Sequence, residues 1–541
     1  MSRQSVGQVH LGTRIHCSSY YWWKLDDGHI QWGAAGASRF ALDRSAYRQT
    51  THPYSPSKTI FYYLQTTPTS VQHIGFAAGP FETHVIAEVP KPILGFCLPG
   101  DTDLLINSTS SLARAMNFYS TEFGSYPFSE FKVVFVRNPR TIACTSATMS
   151  INSVDLLYSS DIIDQAVPTR QTLSLALAQQ WIGINVIQRT LADTWLIHGL
   201  SLYLNSLFLR NLLGNNEYRF RLKKDIERCV HLDQGDKWPI CMPGSLDPPD
   251  IDFINLKAPL VFHILDRHLT KAGTSLGLSR VIPRIFLAAL SDELSGNTLS
   301  TQFFFKTCRK VSGLDLQPFQ DQWVLGSGCP IFRLYTNFIR KKFTVELYMT
   351  QVIRATGKRA TTLFEGGLTV RIHEADGAPF EHVVDIKSMQ KTYNLPFNTK
   401  YKRTRRSGHI AARFRKLQQD LAAEEDQEET QPKTAEAFAY TPWEEEEERK
   451  RWKVAEWSDE QVEVMMGEGG GYEWIRIDPD CEWLAVFEFS EKPWYWISQL
   501  QSDRDVAAQL EVGHLDPLQR TLIVRRFKIW HIIHLPSLRA S

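Results

Sequence analysis

Sixteen histidines and eight cysteines are the residues with which this 541-residue chain could hold a metal, and their spacing gives them no site. A zinc hydrolase needs two His one helical turn apart, so that both reach one ion from one helix face. A Glu between them then takes the proton of the attacking water. No His in this chain starts such an HExxH run, and His373-Glu374 continues into Ala-Asp-Gly. Cys17, Cys97, Cys144, Cys229, Cys241, Cys308, Cys329 and Cys481 nowhere stand as CxxC, so neither a zinc ribbon nor a dithiol redox motif is suggested. These residue types lead us to expect no catalytic group, no metal and no cofactor.

One charged constellation remains. Lys402, Arg403, Arg405 and Arg406 lie in a basic run that opens at Lys400 and goes on through Arg413, Arg415 and Lys416. Cations on a flexible segment pair with phosphates and release counterions, which gives affinity without base readout. These four residues are therefore the candidate nucleic-acid contact. The plainer readings are a solvated basic loop or a nuclear localisation patch. No zinc finger, helix-turn-helix or RNA-recognition signature accompanies them.

The elements that would position functional groups fall into blocks. Residues 59–89 are β-branched and aromatic, broken by Pro68, Gly75, Gly79 and Pro80, and read as strands and turns. A helix is predicted over 108–124, followed by a short buried strand, FKVVFV, at 131–136. Two helices are predicted over 168–183 and 191–213, the second with an apolar stripe broad enough for burial on most sides. Further helices are expected through 257–270, 280–295 and 298–311. Near 341 the period changes to 2, with Asp376-Gly377 as a turn between strands, and the same style returns at 472–500. The Trp and Tyr residues of 472–496 read as sandwich core, with a partner-binding surface as the alternative. Between these strands, Glu424-Glu425-Asp426, Glu428-Glu429 and Glu444 to Glu448 follow the basic run. Like-charge blocks cannot bury a core, which predicts a flexible insert.

The segment 176–205, ALAQQWIGINVIQRTLADTWLIHGLSLYLN, carries a resemblance. Gln180-Trp181-x-Gly183 and Trp195-Leu196-x-x-Gly199 are similar to the frame around the metal site of the aminopeptidase N-type (gluzincin) zinc peptidases. The family reads HExxHxWxG and, after a gap of 18 residues that this chain reproduces, a Glu as third ligand. On that frame the first His position is Leu175, the base is Ala176, the second His is Gln179 and the third ligand is His198. Leu and Ala bind no zinc, and Gln is a poor neutral ligand. His198 reads as a hydrogen-bonded core histidine, and Gln179 as filling a former metal cavity. The GxMEN-type substrate-anchoring strand corresponds to Thr141–Ile151, TIACTSATMSI, which has no Met-Glu-Asn.

Among degenerate members of this fold the chain resembles the TFIID subunit 2 family. The resemblance rests on 58–83, 118–136, 169–183 and 193–230. It rests above all on YEWIRIDPDCEW with SQLQSDRDVAAQLE, at 472–483 and 498–511. It implies a nuclear, non-enzymatic subunit of a general transcription factor. The implied partners are the TATA-binding protein, its associated factors and core-promoter DNA, in preinitiation complex assembly. The alternatives are a zinc aminopeptidase with a rearranged site and a degenerate peptidase that binds peptides.

The expected architecture is multidomain α+β on a degenerate gluzincin aminopeptidase-like scaffold. Residues 1–40 are unassigned and 41–90 end an N-terminal β-domain. A peptidase-like helical domain without a metal site follows over 91–340. Residues 341–400 and 471–500 form a β-sandwich interrupted by the charged insert 401–470. Residues 501–541 start a helical region that reads as truncated, since the family carries a full N-terminal β-domain and a long helical-repeat array. At roughly 150 residues per domain the length allows about three or four domains. The balance of 60 Lys+Arg against 59 Asp+Glu offers no bulk support for a nucleic-acid coat or a membrane-surface protein. No secretory h-region or run of 18 apolar residues is present, so a reduced, intracellular protein with no membrane partner is expected.

Overall fold

The computed structural model describes the backbone of 21–26, 29–35, 48–52 and 55–64 and most of 70–513; 397–471 and 514–541 lie outside the described residues. The chain divides into two compact units. One is Met1–Tyr218 with Trp238–Leu325, and the other is Arg219–Lys237 with Gly326–Ser541.

The first unit opens with β1 (Tyr21–Asp26), β2 (His29–Ala35), β3 (Arg48–His52) and β4 (Ser55–Leu64). They form an antiparallel sheet in the order β1-β2-β4-β3. Two of these strands fall in the stretch that the sequence left unassigned.

A five-stranded sheet follows, from β5 (Glu82–Ala87), β6 (Ile93–Cys97), β7 (Phe131–Val136), β8 (Ala143–Ser146) and β9 (Met149–Ser153), in the order β5-β6-β7-β9-β8. β7 pairs in parallel with β6 and β9, while both edge strands pair antiparallel. FKVVFV lacks alternation because a central parallel strand is covered on both faces, and only Lys132 is less than fully buried there. The block that reads as mostly helical thus contains four strands of this sheet, while β5 falls in the 59–89 stretch read as strands and turns. β8, ACTS, shows why sequence misses it: four small or polar residues have no period, and pairing with β9 makes them a strand.

The helix predicted over 108–124 is two helices, α1 (Thr102–Thr109) and α2 (Leu112–Phe123). The Ser/Thr run at the break explains the interruption, since these hydroxyls satisfy backbone groups locally. Thr109 Oγ1 donates to Leu105 O (2.7 Å), and Ser108 Oγ accepts from Tyr158 N–H (2.9 Å).

The remaining helices are α3 (Ala166–Trp181), α4 (Thr194–Leu213), α5 (Asn215–Leu232, divided between the units), α6 (Pro248–Lys271), α7 (Leu278–Leu290), α8 (Thr301–Ser312) and α9 (Gln317–Trp323). Two short strands, β10 (Ile187–Gln188) and β11 (Thr298–Leu299), pair in parallel. The helix predicted from 191 begins as α4 at Thr194, after a 3-10 turn over Leu191–Asp193 closed by a Thr190/Asp193 capping box. It ends at Gly214, whose φ of +96° turns the chain out of the helix.

The second unit is a β-sandwich. β12 (Pro330–Ile339), β13 (Thr344–Ile353), β16 (Gln390–Pro396) and β18 (Val486–Ser490) form a sheet in the order β16-β13-β12-β18. β14 (Gly366–Glu374), β15 (Pro379–Ile386) and β17 (Tyr472–Ile477) form the other, in the order β15-β14-β17. Val345, Leu347 and Met349 alternate into the core with the period that the sequence shows. Tyr393 of β16 donates to Asp385 O of β15 (2.8 Å), which joins the sheets at one edge. The sandwich begins at Pro330, ahead of the change in period near 341. Asp376-Gly377 and the charged insert lie outside the described residues. Trp474, Trp483, Tyr495 and Trp496 are buried, so these members of the aromatic cluster are core. A final helix, α10 (Val506–Gly513), takes up the predicted SDRDVAAQLE segment.

Candidate functional site

Leu175, Ala176 and Gln179 lie on α3, His198 lies on α4, and the stretch corresponding to the substrate-anchoring strand forms β8 and β9. Gln179 Oε1 accepts a hydrogen bond from Thr145 Oγ1 of edge strand β8 at 2.6 Å. The side chain at the second-His position is therefore bound to the strand that would otherwise grip substrate. Gln180 is wholly buried and reinforces this seam. Its Nε2 donates to Ser146 O (3.0 Å), and its Oε1 accepts from Thr148 N–H (2.9 Å).

His198, at the third-ligand position, donates from Nδ1 to Asn255 Oδ1 of α6 (2.8 Å). Ala176 is 2% exposed and has nothing to offer a proton. A Cβ placed on Gly183 would lie 3.8 Å from both Gln179 Cβ and Ile197 Cγ2, so the end of α3 and the start of α4 meet at that glycine. The two helices pack on each other, and the polar side chains at the former ligand positions are occupied by protein–protein hydrogen bonds. Among the described residues no three His, Cys, Asp or Glu side chains gather as a metal site would require.

The retained frame has packing reasons of its own. Trp181 donates its indole N–H to Gly124 O (3.0 Å) and packs on Tyr119 and Tyr126. Trp195 stacks on Phe262 with centroids 5.2 Å apart and donates to Thr301 Oγ1 (3.1 Å). At Gly199 a Cβ would fall 2.6 Å from Ala258 Cβ and from Phe262, so only glycine lets α4 and α6 approach this closely. Behind these, Asn205 Oδ1 accepts from Ser174 Oγ (2.6 Å) and its Nδ2 donates to Gln171 O (3.1 Å). Burial pushes the Tyr119 phenol well above its usual range, so that hydroxyl stays uncharged.

In the second unit the structure assembles a charged cluster that no local pattern announces. Arg476 is 1% exposed and faces Asp505 (2.8 Å), Glu511 (3.2 Å) and Asp503 (3.4 Å). Arg219 also binds Asp505, at 2.6 Å and 2.9 Å. Burial alone would raise the Asp505 carboxyl. Its bonds to Arg219 and the charge of Arg476 outweigh that and hold it at about 2. Burial, with Glu482 nearby, pushes Asp478 up to about 7, and burial lowers His373 to about 4. Arg219 comes from more than 250 positions earlier than its partners, beyond any local pattern. Lys402, Arg403, Arg405 and Arg406 lie outside the described residues.

Residues 327–492 match the family model described as TAF2 Ig-like domain, which spans the sandwich. Transcription initiation factor TFIID subunit 2 of Schizosaccharomyces pombe is 38% identical over 501 residues, covering 86% of this chain and 42% of that protein. The Saccharomyces cerevisiae protein of the same name is 35% identical, with 86% and 38% covered. The chain thus spans about two fifths of the length of these curated relatives. Among solved structures, aminopeptidase A of Legionella pneumophila, in complex with aspartic acid, superposes with a TM-score of 0.62 at 11% identity, over 93% of this chain and 54% of that one. At that identity the likeness speaks to fold alone, and the fold is an aminopeptidase-like scaffold. With the identities to the two yeast proteins, it follows that the chain belongs to the TFIID subunit 2 family.

Proposed function

We propose that the chain is a non-enzymatic part of a nuclear TFIID, contributing to core-promoter recognition and preinitiation complex assembly beside the TATA-binding protein and its associated factors. The observation that carries this reading is the 38% identity to a TFIID subunit 2 over 86% of the chain. The seam supports the non-enzymatic half of it. With Gln179 held by Thr145 and His198 by Asn255, two of the positions that would bind zinc are spent on protein contacts. A zinc peptidase needs two metal-binding His and a base, and Leu175 and Ala176 supply neither a ligand nor the base. The expected division into a peptidase-like block over 91–340 and a sandwich over 341–400 with 471–500 belongs to the same proposal.

The test has three arms. Metal analysis of the purified chain is expected to find no stoichiometric zinc, with no hydrolysis of aminoacyl chromogenic substrates; one equivalent of metal with turnover would overturn the non-enzymatic reading. Purification from nuclear extract is expected to bring down the TATA-binding protein and its associated factors, and their absence would remove the TFIID reading. For DNA, replacing Lys402, Arg403, Arg405 and Arg406 with Ala is expected to flatten the salt dependence of binding equally for all sequences. An unchanged salt slope would place the DNA contact elsewhere.

A further inference from the structure

Helices α7 and α8 pack on each other in the first unit, and their outward sides carry cations beside exposed leucines. Over the two helices, LSRVIPRIFLAAL and TQFFFKTCRKVS, there are five Lys or Arg and no Asp or Glu. Arg280, Arg284, Lys306, Arg309 and Lys310 are all exposed, and among the described residues of the unit only Arg309 has an acidic partner, Asp315 at 3.0 Å. The cations on α7 do not stand alone. Arg280, Arg284, Leu287 and Leu290 follow at spacings of four, three and three, which puts them on one stripe of the helix. Leu287 is 63% exposed and Leu290 is 70% exposed, although the other face of α7 is fully buried. Scattered single apolar residues are ordinary on a surface; two leucines continuing an unpaired arginine stripe form a patch with two chemistries.

We propose that the outward side of α7 and α8 docks an acidic amphipathic segment of a partner protein. Charge complementarity chooses the partner's sign, since four unpaired cations attract carboxylates or phosphates and repel a basic surface. The leucines choose between those two anions. A phosphate backbone pairs with Arg and Lys and gains nothing from covering Leu287 and Leu290. A helix with acidic residues at one end and apolar residues along one side covers both parts of the stripe, in the helix-on-helix mode. The inference does not depend on the TFIID reading, because it uses only the composition and exposure of these two helices.

The experiment uses the full chain and two probes: a labelled 20-residue peptide built from Glu and Leu at amphipathic helical spacing, and a 20-base-pair duplex DNA. Wild type is expected to bind the peptide in a salt-sensitive manner. Arg280→Glu with Arg284→Glu is expected to weaken it by about 5- to 10-fold, the size that two exposed charge pairs supply. Leu287→Ser with Leu290→Ser is expected to weaken it several-fold, at unchanged salt slope. All four side chains are exposed, so circular dichroism melts are expected to match wild type. No peptide binding by the wild type, or no effect of either pair of substitutions, overturns the proposal. If charge reversal weakens the DNA while the leucine changes leave the peptide unaffected, the surface is a phosphate contact and the proposal is equally overturned.

Discussion

The seam between α3 and α4 and the cluster around Arg476 both bury polar side chains, and they satisfy them in opposite ways. In the seam, amides and hydroxyls meet: Gln179 with Thr145, Gln180 with the backbone at Ser146 and Thr148, Asn205 with Ser174. Around Arg476 the partners are ions, with Asp503, Asp505 and Glu511 against one guanidinium and Arg219 shared with Asp505. A zinc peptidase would keep its charge in the seam. Here the charge lies in the junction that joins β17 to the segment leading into α10. Neutral hydrogen bonds tolerate changes of pH and salt. Buried ion pairs are sensitive to losing one member, because the partner then remains buried and unpaired.

The largest expected effect follows from that asymmetry. Arg476→Ala leaves Asp503 and Glu511 without their buried guanidinium and Asp505 with Arg219 alone, and is expected to cost about 3–5 kcal/mol in denaturant unfolding of the second unit. A loss under about 1 kcal/mol would mean that water reaches the cluster and that the contrast with the seam is false.

Asn205→Ala is the matching change in the neutral region. It removes the acceptor of Ser174 and the donor to Gln171 O at a residue 2% exposed. A loss of about 1–3 kcal/mol is expected, and it should be the same at pH 5 and pH 8. A pH-dependent loss would show a hidden charge in the seam.

The third effect is a slope. Asp478 titrates at about 7 in the fold, where burial and Glu482 raise it, against an ordinary carboxyl value near 3.8. The folded state therefore binds the extra proton between those values. The stability this group contributes is complete below about pH 4 and is lost as pH rises towards 7, at up to about 1.4 kcal/mol per pH unit. In Asp478→Asn, which suits the residue's left-handed φ of +48°, that contribution to the slope should vanish. His373 works in the opposite sense, since its lowered value makes the fold resist protonation as pH falls from about 6.5 to about 4. The difference between wild type and Asp478→Asn isolates the carboxyl. Parallel pH profiles would show that Asp478 is charged in the fold.

The smallest effect belongs to the metal-position residues. Gln179→Ala and His198→Ala each remove one hydrogen bond at a half-buried site and are expected to cost about 0.5–1 kcal/mol in thermal melts. A loss comparable to that of Arg476→Ala would make the seam, and not the charged junction, the more sensitive region.

Much of the site was legible before any coordinates, for identifiable reasons. Ligand chemistry is a matter of residue type at fixed helical spacing, so Leu175, Ala176 and Gln179 could be judged from the sequence. Long helices rich in recurring apolar residues, such as α3 and α4, and alternating strands such as β13, with one face buried, declare themselves in the pattern. The five-stranded sheet did so only in part: β7 was read as a buried strand and β5 falls in the 59–89 strand stretch, while β8 is too short and too polar to carry a period.

By itself, then, the sequence determined which chemistry was open to this chain. The number, type and local spacing of its histidines, carboxylates and cysteines are properties of the chain alone, and they offered no metal pair. Tertiary structure alone decided what the vacated positions do. That Gln179 would bind Thr145, that His198 would bind Asn255, and that Arg219 would share Asp505 with Arg476 are pairings across 34, 57 and 286 positions. Hydrogen bonds and ion pairs at that separation depend on angstrom-scale distances, which only the packed helices and sheets define.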